Sequence, residues 1–402
     1  MNTESKFMKA VKLVNLFSML VLVVELAFLI NYLQRITFAI AIITYLTEII
    51  VEKKWRQLRW ENSFRQWFFI VIIFYFLLQF LYYPFEKNTA LFGTYIEERI
   101  PFLIFGIVGL LGFNRYFKLK YFAWTFIITS FLIGVFLLSK MTPEIWNSEN
   151  RNSLFGLIRI QYVNQHMKLN YYFNLSLIFS YYLLVYYARK KVLWPRFALI
   201  VVAAVIVVNL FLSEGRVGLI TSFVLLTMFI IRYFWHKSRI LTFVSTSLFI
   251  LLAIVLVKGN PRLSEENLKR EPRLVIWKIA VDEIVKSDFA GIGVSTAANN
   301  MTIEFAKRDM FNNKHTHNLF LQSTLEYGVV GLLVTLAMFI LGYYSVSRSF
   351  RLIMSFLLMT TLMQMMMGSF ERDLNPTVFL LCFILIVKQD LVDKKKLAET
   401  VE

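Results

Sequence analysis

The chain has 402 residues, of which 58% are hydrophobic and only 17% are charged, with a mean hydropathy of +0.60. Soluble domains are nearer half apolar and about a quarter charged, so this composition excludes an ordinary soluble protein. The net charge of +17 would suit a nucleic-acid-binding protein. Much of the excess, however, lies in short loops between apolar runs, which favours a role in membrane topology, and the remainder lies in one long loop that could meet an anionic ligand.

Twelve apolar runs predict an all-α fold, a polytopic membrane protein with about 12 transmembrane helices. The first nine, in the region 1–257, are Val11–Ile30, Ile36–Val51, Trp67–Tyr83, Ile100–Phe113, Tyr121–Ser139, Asn170–Tyr187, Phe197–Leu212, Val217–Phe234 and Ile240–Val257. The last three, in the region 327–402, are Tyr327–Tyr344, Leu352–Gly368 and Thr377–Val387. The single cysteine, Cys382, lies in the last run and permits no internal disulfide.

Alternate connections between these runs are basic. They contain Lys53, Arg115, Lys190, Lys237 and Arg348, and Lys394 marks the tail. Because basic loops stay on the cytoplasmic side, we expect both termini in the cytoplasm. The long polar stretch 258–326, which precedes the tenth span, then lies on the opposite, extracytoplasmic side.

This extracytoplasmic loop is predicted to be partly helical and to form a lid. Pro272 is suited to the first turn of a helix. Leu274, Trp277, Val281 and Ile284 recur at helical spacing and are expected on one apolar face. Long loops in compact proteins are usually functional or disordered, and helical periodicity favours the functional case here.

Two of the four histidines, His315 and His317, stand where this loop meets an apolar helix that begins near Leu319. An H-x-H pair could bind zinc, but zinc needs further ligands and no dense ligand cluster surrounds the pair. The histidines could also form a polar cap on the helix. A third interpretation is a general base, because a neutral imidazole can accept a hydroxyl proton there.

Two arginines are candidates for anion binding on the same side. Arg216 lies between two apolar spans, where a charge is costly unless it pairs or binds something. It could instead anchor the interface or pair with Glu214. Arg273 opens the predicted lid helix, where a cation opposes the helix dipole, although a solvated helix start is the alternative. Because guanidinium groups bind phosphate oxygens bidentately, two arginines and a histidine predict a site for a phosphorylated lipid.

Four further residues are weaker candidates. His166 and Arg159 lie near another outer loop and could line the same cavity, or His166 could cap the following span. Glu25 and Glu48 are intramembrane acids, which are functional suspects. A proton-coupled carrier would be expected to hold more such acids near the midplane.

Several motifs resemble those of a known family. His317-Asn318-Leu319-Phe320-Leu321-Gln322, followed by Glu326-Tyr327-Gly328-Val329-Val330-Gly331, resembles the H-N-x-x-L-Q…E-x-G-x-x-G signature of the O-antigen ligase and O-antigen polymerase superfamily. Arg273 and Trp277, then Gly291 and Gly293, resemble its upstream loop motif. The turn at 213–216 resembles its short extracytoplasmic turn, with an inserted Glu-Gly that departs from the usual spacing.

The resemblance implies a metal-independent, inverting glycosyltransferase that needs no cofactor and lies in the bacterial inner membrane, with the loop 258–326 in the periplasm. Such an enzyme moves a glycan from undecaprenyl (polyprenyl) diphosphate to an acceptor hydroxyl on the periplasmic face, in lipopolysaccharide or surface polysaccharide biosynthesis. Lipid A–core is the favoured acceptor for a ligase. For the alternative, a repeat-unit polymerase, the acceptor is another glycan. The rival from a different class is a lipid-linked glycan flippase or other transporter.

The resemblance also assigns roles to residues. His317 matches the proposed base, and Arg216 and Arg273 match the arginines proposed to hold the diphosphate. The remaining residues expected to bind substrate are His315, Asn318, His166 and Arg159. The expected partners are the lipid-linked donor, the acceptor and the lipid bilayer, with no metal and no nucleic acid.

Overall fold

The computed structural model describes residues 5–28, 31–58, 60–148, 151–163, 166–213, 215–235, 237–258, 272–308, 315–367 and 375–399. Over these residues the fold is all-α, as predicted, with sixteen α-helices, two short 3-10 helices and no strand. In chain order the helices are α1 (Lys6–Phe28), α2 (Asn31–Glu52), α3 (Phe64–Leu81), α4 (Thr89–Leu111), α5 (Leu119–Ser139), α6 (Pro143–Asn147), α7 (Arg151–Tyr162), α8 (His166–Arg189), α9 (Trp194–Leu212), α10 (Arg216–Trp235), α11 (Arg239–Lys258), α12 (Pro272–Lys286), α13 (Val294–Ala306), α14 (Leu319–Tyr344), α15 (Arg348–Met367) and α16 (Asn375–Glu399).

Eight of the described helices are long and apolar enough to cross a membrane, namely α1, α2, α3, α5, α9, α10, α14 and α15. The other four predicted spans coincide with α4, α8, α11 and α16. These segments are helical, but their described residues are too polar or too short to qualify by the same measure. A polytopic membrane protein is therefore confirmed, whereas the number of 12 spans stays a prediction.

The chain forms two compact units. The first contains Met1–Leu26, Ile30–Leu119 and Pro272–Glu402, and the second contains Ala27–Leu29 and Lys120–Glu271. The first unit is thus assembled from both ends of the sequence. In it α3 packs against both α4 and α14, and α16 packs against α4 and α15.

Two helices of the first unit, α12 and α13, form the lid. Their shared core contains Ile276, Ile279, Ala280, Ile284, Ala297, Met301 and Phe305, together with Leu325 of α14. The helix predicted to open at Pro272 is present, but the predicted apolar face is rotated. Leu274 and Val281 are exposed, because the helix buries a neighbouring stripe against α13 and α14. Residues 259–271 and 309–314 of the predicted loop lie outside the described residues.

The helix that follows the lid is broken within its length. α14 begins at Leu319 and departs from helical geometry at Gly328, where φ is 62° and ψ is −154°. The backbone of Phe289 and Ala290 lies where a Cβ on Gly328 would be, and the Val329 N–H donates to the Phe289 carbonyl at 3.1 Å. The predicted span Tyr327–Tyr344 therefore starts at the break, and the turn before α13 packs into it.

Candidate active site

His317 lies in the segment 315–318, which leads into α14. Its backbone is left-handed, with φ of 52°, a conformation that is uncommon outside glycine, although Asn, Asp and His adopt it more often than other residues. Its neighbour Thr316 closes a tight local turn: the hydroxyl donates to the Asn318 carbonyl at 2.7 Å and accepts the Asn318 N–H at 3.2 Å. The surrounding hydrogen bonds therefore hold His317 in a backbone conformation that would otherwise be costly.

The two neighbours predicted to bind substrate have clear structural partners. The Asn318 carboxamide oxygen accepts the N–H groups of Phe320 and Leu321 at 3.0 and 3.2 Å, which caps α14 in the manner Asn favours. His315 is buried, and its ring meets the ring of Tyr95 edge-on at a centroid distance of 5.8 Å. Their roles in substrate binding stay predictions.

A buried ion pair lies next to this loop. The Arg99 guanidinium of α4 donates from Nη2 to Oε2 of Glu326 at 2.7 Å, and both side chains are almost completely shielded from solvent. Arg99 also donates from Nη1 to the Tyr327 hydroxyl. The second Glu326 oxygen, Oε1, accepts Nε2 of Gln322 at 2.6 Å. The Gln322 carboxamide oxygen in turn accepts the Thr316 N–H at 2.9 Å, so the ion pair is linked to the His317 loop.

Arg273 is carried by a helix that contacts the same loop. It is the second residue of α12 and is half-buried. One turn further along α12, the Trp277 indole N–H donates to the Thr316 carbonyl at 3.1 Å. Residues four apart lie on the same side of a helix. The lid helix therefore presents Arg273 on the side from which Trp277 reaches the loop of His317.

The lid is fastened to the end of α3 by polar contacts. The Glu86 carboxylate accepts the N–H groups of Val294 and Ser295, each at 2.6 Å, at the start of α13, where a helix dipole favours negative charge. The Tyr82 hydroxyl donates to the carbonyls of Ala290 and Tyr327, each at 2.9 Å. Burial raises the pKa of Tyr82 above its already high ordinary value, in keeping with its role as a donor.

The second unit contains the turn that ends at Arg216. Nδ2 of Asn170 donates to the Ser213 hydroxyl at 2.9 Å, and Oδ1 of Asn170 accepts Nη2 of the fully buried Arg159 at 3.0 Å. A Cβ at Gly215 would collide with the Asn170 carboxamide. The predicted residue Arg159 thus takes part in a polar network that shapes this turn. The side chains of Arg216 and His166 lie outside the described part of the chain, although Arg216 begins α10 and His166 begins α8.

Sequence reasoning missed several of these partners. Glu326 and Gln322 belong to the motif that begins at His317, and its short spacing predicts that they lie close to that histidine. Arg99 was not singled out, although an arginine at the edge of an apolar run is a usable signal. Among the described residues, no group of three or more His, Cys, Asp or Glu side chains could hold a metal ion.

Comparison with known proteins agrees with the motifs. Residues 201–336 match the family described as O-antigen ligase, which confirms the predicted resemblance. The match runs from within α9, through the Arg216 turn, the lid and the His317 loop, into α14. No curated protein and no solved structure matches the chain.

Proposed function

We propose, from the match of residues 201–336 to the O-antigen ligase family, that this membrane protein transfers a glycan from undecaprenyl diphosphate to an acceptor hydroxyl. We favour lipid A–core as the acceptor. The observation that carries the proposal is the geometry of the matched segment. There His317 stands in a loop closed by the hydrogen bonds between Thr316 and Asn318, and Trp277 ties the helix of Arg273 to that loop.

The proposed reaction inverts the sugar at C1. The acceptor oxygen forms the new bond to C1 while the C1–O bond to the diphosphate breaks, and the bonding electrons leave with the diphosphate. His317 takes the hydroxyl proton, a contribution typically worth about 10²- to 10⁴-fold in rate. Arg273 stabilises the charge that develops on the departing diphosphate, which lowers the barrier more than it stabilises the bound donor. Arg216 enters this proposal through the family motif.

The remaining roles follow from the same proposal. In it His315, Asn318, His166 and Arg159 bind the substrates, alongside Arg216 and Arg273. A metal ion is not needed, because the arginines and the base supply the required charge and proton transfer. The protein lies in the bacterial inner membrane with both termini in the cytoplasm and the lid in the periplasm.

The test is an assay of the purified chain in lipid nanodiscs. The donor is polyprenyl-diphosphate-linked glycan extracted from the host bacterium, offered with either lipid A–core or a second portion of donor. Glycan attached to lipid A–core supports a ligase, whereas lengthened lipid-linked glycan supports the alternative, a polymerase of the same superfamily. Movement of donor across a vesicle membrane with no new glycosidic bond would favour the flippase and contradict the proposal.

A further inference from the structure

Burial of the Arg99–Glu326 ion pair costs this protein free energy. Its two side chains are 1% and 0% exposed. Removing two charges from water costs several kcal/mol for each ion, and apolar replacements of buried pairs are often as stable or more stable. Stability of the helix packing is therefore a weak explanation for a charged pair at this position. The contacts beyond the pair suggest a different role.

The hydrogen bonds leading from this pair have a fixed direction. The Thr316 N–H can only donate, so it requires an oxygen from Gln322. The Gln322 amide must then turn its NH₂ group toward Glu326, which can accept because it is an ionised carboxylate. Arg99 donates to that carboxylate from α4 at 2.7 Å and so fixes its position. A side chain on α4 is thus linked, through Glu326 and Gln322, to the loop of His317.

The series of hydrogen bonds that begins at Arg99 ends at Thr316, directly before the proposed base. Thr316 is held from two sides, by Gln322 at its N–H and by Trp277 at its carbonyl. The next residue is His317, whose left-handed backbone needs support from its surroundings. A shift of Thr316 would turn the following imidazole away from any bound hydroxyl.

We propose that Arg99, acting through Glu326 and Gln322, is a positioning residue that fixes the imidazole of His317 for proton transfer. The inference rests on the proposed function, in which His317 is the base. Arg99 itself touches neither donor nor acceptor in this scheme. Its effect is on turnover rather than on donor binding.

The most specific variant is Gln322→Met, which cuts the link to Thr316 and leaves the ion pair intact. It should lower kcat about 10- to 100-fold, because small misplacements of a reacting group have effects of that size. KM for the donor should stay unchanged. The matched control is Thr324→Val on the same helix, since the Thr324 hydroxyl bonds the Phe320 carbonyl of its own helix. Wild-type kcat in Gln322→Met would overturn the inference.

A double-mutant comparison tests whether Arg99 acts through the same series of hydrogen bonds as Gln322. Arg99→Met should lower kcat, and the pair Arg99→Met with Gln322→Met should be no worse than Gln322→Met alone. If the fold-reductions in kcat of the two single variants multiply in the double variant, Arg99 acts independently of Gln322, which would contradict the proposal. If Arg99→Met does not fold, Arg99→Lys replaces it in the same comparison, because one ammonium cannot occupy both positions from which the guanidinium bonds Glu326 and the Tyr327 hydroxyl.

A readout that needs no turnover separates this inference from the proposed function. The rate at which diethyl pyrocarbonate modifies His317, followed by peptide mass spectrometry, reports the environment of the imidazole. It should change in Gln322→Met and stay at the wild-type value in Thr324→Val. An inactive wild-type chain would contradict the proposed function alone. Unchanged His317 reactivity in Gln322→Met would contradict the positioning role alone.

Discussion

The left-handed backbone of His317 decides how its role should be tested. At φ of 52° an alanine would add backbone strain to the loss of the imidazole. Asparagine tolerates this conformation, so His317→Asn removes the base with the least disturbance. We expect it to lose nearly all turnover while binding undecaprenyl diphosphate like the wild type. Activity of the wild type should fall on acidification, because an imidazole that already carries a proton cannot accept another.

His315 provides the matched control, because it lies two residues away and packs against Tyr95. His315→Asn should be milder than His317→Asn if it only supports the loop. Full turnover in His317→Asn would remove the proposed base. Loss of wild-type activity on treatment with EDTA, restored by a divalent cation, would favour the alternative zinc interpretation of the two histidines.

Arg273 should matter for the shape of its charged group as well as for its charge. Arg273→Ala should nearly abolish transfer and weaken binding of undecaprenyl diphosphate in an equilibrium binding assay. Arg273→Lys should recover little, because an ammonium cannot form two parallel hydrogen bonds to phosphate oxygens. Lys278, an exposed cation on the same helix, is the control, and Lys278→Ala should bind and react normally. Full activity in Arg273→Lys would show that charge alone suffices.

At the level of single residues, the sequence predicts contacts between residues of one motif, but it does not predict contacts between distant segments. The signature beginning at His317 placed the loop, Gln322 and Glu326 together, because they follow one another within two and a half helical turns. Arg99 is 227 positions from Glu326, and nothing local to either residue specifies the other. The capping role of Asn318 was open to prediction, because Asn before an apolar run is a common helix start.

The break in α14 at Gly328 can be tested by mutation. Gly328 has φ of 62°, and backbone atoms of Phe289 and Ala290 occupy the space of a Cβ. Gly328→Ala should therefore lower stability by about 1–3 kcal/mol, the usual cost of a strained backbone. Gly93→Ala in α4 is the control, because nothing lies within 4 Å of its Cβ position. Thermal unfolding in detergent should separate the two, and equal midpoints would show that the break relaxes easily.

Helices were easier to predict than their faces or their ends. Each of the twelve predicted runs falls on a helix within the described residues, and Pro272 marks a helix start as expected. The run predicted at Ile100–Phe113 belongs to a longer helix, Thr89–Leu111, because the charged residues before Ile100 continue it. The buried face of α12 was misplaced, since its apolar residues surround the helix and only packing against α13 and α14 selects one stripe.

The orientation of the whole molecule can be tested by labelling single cysteines in a chain in which Cys382 is replaced. Lys286→Cys and Lys307→Cys lie on exposed parts of the lid and should react with a membrane-impermeant maleimide in intact spheroplasts. Lys190→Cys and Lys395→Cys, also exposed, should react only after permeabilisation, because basic connections stay in the cytoplasm. Labelling of the lid positions only from the cytoplasm would reverse the topology and end the proposed mechanism.

The assembly of one unit from both ends of the sequence has a consequence for biosynthesis. Arg99 is translated 227 residues before its partner Glu326. At about 5–20 residues per second, that interval is roughly 11–45 s. During it the arginine must rest near lipid headgroups, in a water-filled insertion channel or against a temporary anionic neighbour, since hydrocarbon would penalise it. The nascent chain therefore needs a temporary polar partner for this arginine until α14 is made.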